Sequence, residues 1–181
     1  MGTDPRTDRQ LVDAINDGDS NAFEALYRRH RDWVVNLAYR FTSDRDASLD
    51  VMQETFTYVL NQFPGLQLTA KFTTYCYPIV RSIAHQRFRK LKREQSVDSP
   101  PDEIAIEPDE IREDPRVGLA SLLSELTDEQ RETVLLRFVD GMSLQEIADA
   151  TDTPLNTVKS RLRLALESLR NDPRTKIYFD R

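Results

Sequence analysis

The chain has 181 residues and a formal net charge of -6, and its 39% of hydrophobic and 31% of charged residues are typical of a helix-rich globular protein. Only five glycines are present, which argues against an all-β fold, and the single cysteine, Cys76, excludes an intramolecular disulfide and a multi-cysteine zinc site. We therefore expect the protein to be located in the reducing cytoplasm. No apolar run exceeds three residues, so the sequence predicts neither membrane insertion nor a signal peptide.

Two amphipathic helices are predicted first along the chain, over residues 20–42 and about 46–63. Their apolar side chains recur at steps of three and four residues, which places them in one stripe on each helix. His30 lies within the first stripe, so we expect it to pack there and not to bind a ligand. Four polar residues of the second helix fall outside its apolar stripe: Asp50, Gln53, Glu54 and Thr57.

A third helix, predicted over residues 73–94, combines aromatic and basic side chains. We expect Pro78 to kink it or to mark the start of its regular part. From Arg81 to Arg93 it carries six basic residues and no acidic residue. Aromatic rings suit unstacked bases and cations suit phosphates, so the pattern favours single-stranded or melted nucleic acid. The alternative is an aromatic core beside a solvated basic face.

The acidic residues are concentrated in one segment. Between Asp98 and Asp114 the chain has eight acidic residues and one base, Arg112, so this segment contributes -7 to the net charge of -6 and the rest carries about +1. Four prolines lie between residues 100 and 115. Such a composition predicts an extended linker at residues 96–117. The linker is either a solvated spacer or a mimic of nucleic acid.

The last part of the chain has the pattern of a helix-turn-helix. Capping boxes predict helices over about 127–139 and 144–151, after a shorter one at 119–126, and Pro154 suits the first turn of a final helix. Opposite the apolar face, that final helix presents amide, hydroxyl and basic groups, which are the groups that contact base edges and phosphates. A helical hairpin for protein contact is the alternative.

The order of these motifs resembles the extracytoplasmic-function (ECF) group of bacterial sigma factors. The segments that carry the resemblance are "DVMQETFTYVL", "FTTYCYPIVRSIAHQRFRK" and "LTDEQRETVLLRFVDGMSLQEIADATDTPLNTVKSRL". The resemblance implies an all-α fold of two small helical domains. These are a region 2-like helical bundle at 8–95 and a region 4-like helix-turn-helix domain at 118–172, joined by the flexible acidic linker at 96–117.

The resemblance also implies a function without catalysis and without a cofactor: binding of core RNA polymerase and promoter DNA, promoter recognition and DNA opening. It makes an anti-sigma factor an expected further partner. The implied polymerase-docking residues are Asp50, Gln53, Glu54 and Phe56. The implied minus-ten residues are Lys71, Phe72, Tyr75, Arg81, His85, Arg87, Arg89 and Lys90. The implied minus-thirty-five residues are Asn156, Thr157, Lys159, Ser160, Arg161, Arg163 and Leu164.

Some positions depart from the family pattern. Tyr75, Pro78 and Ser82 replace residues that are frequent in the minus-ten reader, and Leu164 replaces a frequent arginine and is suited to a thymine methyl group. The promoter sequence therefore cannot be carried over. The alternative function is a free-standing helix-turn-helix regulator, which would not need the domain at 8–95. An enzyme is disfavoured, because the sequence has no glycine-rich phosphate loop and no cluster of metal ligands.

Overall fold

The computed structural model describes residues 4–98 and 121–175, with side chains described through Arg89 in the first range. Within these ranges the protein is α-helical throughout, and no strand occurs among the described residues. The chain divides into two compact units, Met1–Asp102 and Glu103–Arg181, called here the front unit and the rear unit. The prediction of an all-α fold is confirmed.

The front unit contains four helices: α1 (Asp8–Asn16), α2 (Ser20–Thr42), α3 (Arg45–Leu60) and α4 (Phe72–Asp98). Helix α2 packs against the other three, and α3 also packs against α4. The apolar stripes predicted for α2 and α3 face this shared core. Fully buried core residues from the four helices include Leu11, Leu26, Leu37, Val51, Val59, Tyr77 and Val80.

The first helix, α1, was not predicted as a separate element, although its start has a clear sequence signal. The Thr7 side chain accepts a hydrogen bond from the Gln10 backbone amide, and the Gln10 side chain accepts one from the Thr7 amide. This reciprocal capping box satisfies amides that the first helical turn leaves unpaired. Leu11 and Val12 then bury the inner face of α1.

Helix α4 begins earlier and ends later than predicted. It starts at Phe72 and continues through Pro78, so the expectation that the regular helix starts at Pro78 is wrong. Proline removes one backbone hydrogen bond, but Cys76 and Tyr77 are fully buried and hold the first turns in the core. The helix extends to Asp98, three residues into the predicted linker. The linker from residue 99 onwards lies outside the described residues.

The rear unit contains a helical turn at 121–124 and three helices: α5 (Asp128–Phe138), α6 (Leu144–Thr151) and α7 (Leu155–Asn171). Helix α7 packs against both α5 and α6. Residues from the turn, α5 and α7 form a core cluster of Leu123, Leu126, Val134, Leu162, Ala165 and Leu169. Residues 119–120 of the first predicted rear helix lie outside the described residues.

The caps predicted in the rear unit are confirmed. Thr127 with Gln130 and Ser143 with Glu146 both form complete capping boxes. Between α6 and α7 the backbone turns at Asp152, which adopts the left-handed conformation with φ 48°. Aspartate is one of the few non-glycine residues that tolerate this conformation.

Arg131 of α5 fixes the helical turn that precedes it. Its Nε donates to the Leu123 carbonyl at 2.8 Å, and its Nη2 donates to the Leu126 carbonyl at 3.0 Å and the Ser124 carbonyl at 3.3 Å. Its Nη1 pairs with Asp128 at 3.1 Å. One side chain therefore satisfies carbonyls that the end of a short helical turn leaves without partners.

Among the described residues, no helix is long and apolar enough to cross a membrane.

Candidate functional site

The polar face of α3 is exposed as the helical spacing predicts. Asp50, Gln53 and Glu54 are all exposed, one turn apart on the outer side of the front unit. Phe56 is different: it is 4% exposed and packs in the core, where its ring lies 4.8 Å from that of Tyr27. This position follows the apolar stripe of α3, and the implied role of Phe56 in docking stays a prediction.

A depression of about 340 Å³ borders this face. Its lining comes from α2 and α3: Phe23, Tyr27, Gln53, Phe56, Thr57 and Leu60. Leu60 is 47% exposed and Gln53 belongs to the acidic face, so polar and apolar contacts lie side by side. Such a combination suits a protein partner that presents a cation beside an apolar side chain.

Arg87 of α4 reaches across to the acidic face of α3. Its Nη1 pairs with Asp50 Oδ2 at 3.3 Å, and its Nη2 pairs with Glu54 Oε1. The hydrogen bond to Glu54 raises the pKa of Arg87 above its ordinary value, although partial desolvation acts in the opposite direction. A residue implied for minus-ten DNA thus contacts two residues implied for polymerase docking.

Phe72 lies at the centre of an aromatic cluster and is 0% exposed. Its ring is 4.7 Å from His30, 6.5 Å from Phe56 and 6.3 Å from Tyr75, measured between centroids. This corrects the expectation that Phe72 offers a surface to a base, because the first turn of α4 directs it inward. Tyr75 is half-buried, and burial raises its pKa to about 12.

The other residues implied for the minus-ten element lie at the surface of α4 or, for Lys71, directly before it. Lys71, His85 and Arg89 are exposed, whereas Arg81 is half-buried. The His85 ring lies 5.4 Å from that of Phe41 on α2. Lys90 belongs to the helix, but its side chain lies outside the described residues. The exposed set forms a basic surface with one imidazole, suited to a phosphate backbone.

Helix α1 supplies a feature that the sequence analysis missed. Asn16 Nδ2 donates to the Leu66 carbonyl at 2.9 Å, and Asn16 Oδ1 accepts from the Gly65 amide at 2.7 Å. Arg9 Nη2 donates to the Leu68 carbonyl at 2.8 Å. These three bonds attach α1 to the loop at 61–71, directly before α4. The capping box at Thr7 and the apolar residues Leu11, Val12 and Ile15 are the sequence signals of this helix.

His30 packs in the core, as predicted, and is 8% exposed. Its Nε2 lies 2.9 Å from Asp8 Oδ2, and Arg29 Nη1 donates to Asp8 Oδ1 at 2.7 Å. Burial raises the pKa of Asp8, but the hydrogen bonds from His30 and Arg29 outweigh it, so this pKa lies below its ordinary value of 3.8. No cluster of metal-ligand side chains occurs among the described residues.

The final helix of the rear unit presents the groups expected of a DNA reader. Val158 and Ala165 of α7 and Ile147 and Ala148 of α6 are buried, and the two helices pack against each other. Exposed on the other side are Asn156, Thr157, Lys159, Ser160, Arg163 and Leu164, while Arg161 is half-buried. The helix places them on one continuous surface, since residues three and four apart are neighbours.

The basic residues of α7 differ in their ion pairs. Arg163 Nη1 pairs with Glu167 Oε1 at 2.7 Å, one turn further along the same helix. In the part of the chain that the structure describes, no carboxylate lies within ion-pair distance of Lys159 or Arg161. Lys159 and Arg161 are therefore not held by a carboxylate of the described residues, in contrast to Arg163.

Two families match the chain, one in each unit. The family described as Sigma-70 region 2 matches residues 26–94, which include α3 and most of α4. The family described as Sigma-70, region 4 matches residues 116–169, which include α5, α6 and most of α7. Together these matches contain every residue implied for polymerase or DNA binding.

Similar proteins span nearly the same length. The ECF RNA polymerase sigma factor SigW of Bacillus subtilis is 25% identical, with 92% of this chain and 96% of SigW covered. The ECF RNA polymerase sigma-E factor of Escherichia coli K12 is 28% identical, with 91% of this chain and 93% of that protein covered. Among solved structures, CnrH in complex with the cytosolic domain of CnrY has a TM-score of 0.65 at 22% identity, covering 90% of this chain and 94% of that chain.

A second solved structure has the same fold. The sigma factor RpoE of Bartonella quintana, in complex with the anti-sigma factor NepR, has a TM-score of 0.62 at 21% identity. The match covers 82% of this chain and 94% of that chain.

Proposed function

This chain belongs to the extracytoplasmic-function group of bacterial RNA polymerase sigma factors, and we propose how its two units divide promoter recognition. The front unit docks on core RNA polymerase through α3 and acts on the minus-ten element through α4. The rear unit reads the minus-thirty-five element through α7. The observation that carries this proposal is that α3 has an exposed acidic face and α7 of the same chain has an exposed basic face.

Docking uses Asp50, Gln53 and Glu54 together with the neighbouring apolar depression. A double variant, Asp50→Arg with Gln53→Ala, should weaken binding to core polymerase at least about tenfold, because it reverses a charge within the contact. The matched control is Asp13→Arg, a charge reversal at an exposed site on α1. Titration against core enzyme gives both affinities. Equal affinities for the variant and the wild type would defeat the docking assignment.

The residues proposed for the minus-ten element are Lys71, directly before α4, and Tyr75, Arg81, His85, Arg89 and Lys90 on α4. The exposed basic side chains hold the phosphate backbone, while half-buried Tyr75 lies in the first turn of α4. Phe56 and Phe72 support both surfaces from the core, since their rings lie 6.5 Å apart in one cluster. Phe72 therefore acts through packing, whereas Phe56 also lines the depression that is proposed for docking.

On α7 we assign base and phosphate contacts to Asn156, Thr157, Lys159, Ser160, Arg161, Arg163 and Leu164. Replacing Arg161 and Arg163 together with glutamate should leave polymerase binding unchanged and abolish binding of the holoenzyme to its promoter. This separation follows because both side chains lie off the core of the rear unit. Loss of polymerase binding as well would indicate that α7 has a structural role instead.

The remaining proposals follow from the same function. The protein acts without catalysis or a cofactor, in the cytoplasm where core polymerase works. The acidic segment near residues 96–117 tethers the two units. An anti-sigma factor is a further partner, as in the complex of the Bartonella quintana protein with NepR.

The first experiment is co-elution of the purified full chain with core RNA polymerase. A tight stoichiometric complex permits transcript sequencing from the reconstituted holoenzyme, which identifies the promoter. A folded, inhibitor-free protein that forms no complex would favour a free-standing helix-turn-helix regulator.

A further inference from the structure

We propose that Arg87 is a positioning residue of the polymerase-docking surface and does not contact promoter phosphates. In this assignment its guanidinium holds the carboxylates of Asp50 and Glu54 in the orientation that docking requires. The proposal rests on the docking role of α3 given above, and it removes one residue from the DNA surface of α4.

The geometry is that of a bridge between two helices. Asp50 and Glu54 are four residues apart on α3, so they are neighbours on its surface and repel each other. Arg87 contacts one oxygen of each carboxylate, Asp50 Oδ2 and Glu54 Oε1. Each carboxylate accepts several hydrogen bonds, so Oδ1 and Oε2 remain available to a cation of the partner. A planar guanidinium presents two separate nitrogens in a fixed geometry to the two acceptors, whereas an ammonium group donates from a single nitrogen and holds them less rigidly.

The charges of this group argue against a phosphate contact. Two carboxylates and one guanidinium carry a net charge of about -1, so an approaching phosphate is repelled. A cationic partner is attracted to the same group. This group is accessible from solvent, because the side chains of Arg87, Asp50 and Glu54 are 34%, 53% and 46% exposed. A docking partner can therefore reach the carboxylates without displacing Arg87.

Arg89, two residues further along α4, provides the matched comparison. It is exposed, and among the described residues no carboxylate pairs with it. Arg87 and Arg89 have the same charge and lie in the same helix, but they differ in their contacts. Removing the charge of Arg87 or of Arg89 therefore tests the docking surface and the DNA surface separately.

The test uses the full chain with Arg87→Gln, Arg87→Lys and, as control, Arg89→Gln. For Arg87→Gln we expect the Kd for core polymerase to rise by about threefold to fivefold, the range for partly exposed ion pairs. Arg87→Lys should recover only part of that loss. At saturating core enzyme, the Arg87→Gln holoenzyme should bind a forked DNA carrying its promoter with wild-type affinity. Arg89→Gln should show the reverse: normal polymerase binding and weaker DNA binding.

A double-mutant cycle distinguishes failure of this proposal from failure of the docking assignment. In the Asp50→Asn, Glu54→Gln background, Arg87→Gln should cause no further loss of polymerase affinity. If the acid variant binds weakly but Arg87→Gln binds core polymerase normally, the positioning role is overturned and docking through α3 stands. If the acid variant itself binds like the wild type, the docking assignment fails and this proposal fails with it. Trp33 fluorescence verifies that every variant is folded.

Discussion

Replacing Asn16 with alanine tests whether α1 holds the loop that leads into α4. The substitution removes two hydrogen bonds, the donation to the Leu66 carbonyl at 2.9 Å and the acceptance from the Gly65 amide at 2.7 Å. A hydrogen bond contributes about 0.5–1.5 kcal/mol net, and water can replace part of it because Gly65 is exposed. We therefore expect a loss of about 1–2 kcal/mol in the free energy of unfolding of the front unit.

The assay is thermal unfolding followed by fluorescence of Trp33, the single tryptophan of the chain, which lies in α2 of the front unit. For a unit of roughly 100 residues, the expected loss lowers Tm by about 5–10 °C. Asn61→Ala is the matched control, because Asn61 caps α3 through its backbone and its exposed side chain makes no hydrogen bond within the described residues.

Two functional results should accompany this change in stability. Hydrogen exchange at the Gly65 amide should become faster in Asn16→Ala than in Asn61→Ala, because only the first variant frees that amide. Open-complex formation should fall more than affinity for core polymerase, since the loop leads into the surface of α4 that we propose for DNA. A Tm equal to that of Asn61→Ala would refute the reasoning, because the two hydrogen bonds would then contribute nothing.

Three further predictions use other contacts. The pKa of Asp8 is lowered in the folded protein, so the ionised carboxylate stabilises the fold fully above its ordinary pKa of 3.8. This stabilisation is lost as the pH falls through the pKa of the folded state. Wild type and Asp8→Asn should therefore differ less in unfolding free energy at pH 3 than at pH 6. Arg131→Gln should destabilise the rear unit by about 1–2 kcal/mol, measured by circular dichroism, while Trp33 fluorescence is unchanged. Lys159→Gln should reduce the salt slope of promoter binding by about one, and Arg163→Gln by less, because Arg163 pairs with Glu167. Equal slopes for these two variants would contradict this ranking.

Periodicity and caps predicted most of the fold. The apolar stripes of α2 and α3 face the core as expected, and the boxes at Thr127 and Ser143 start α5 and α6. These signals are local, since a helix stripe and a cap depend on residues within one or two turns. The exposed face of α7 followed from the same rule. Helix α1 carries the same kind of local signal in its Thr7 capping box, although it was not predicted.

Contacts between distant residues were not predictable in the same way. Phe72 matched a motif implied to face DNA, but packing against His30 and Phe56 places it in the core. Nothing in the sequence distinguished Arg87 from the other basic residues of α4. Its contact with Asp50, 37 residues away in the sequence, depends on the packing of α4 against α3. Periodicity reports which side of a helix is apolar, and it carries no information about which helix lies opposite.

The acidic net charge of the chain is compatible with promoter binding because exposed charges act over short distances. At physiological ionic strength, exposed charges more than about 8–10 Å apart are largely screened. Binding therefore depends on the local surface and not on the net charge of -6, of which the segment from Asp98 to Asp114 contributes -7. Helix α7 presents uncompensated bases at Lys159 and Arg161, whereas α3 presents acids that Arg87 only partly neutralises. Opposite local charges on separate helices allow the same chain to bind a polyanion at one surface and a cationic protein partner at another.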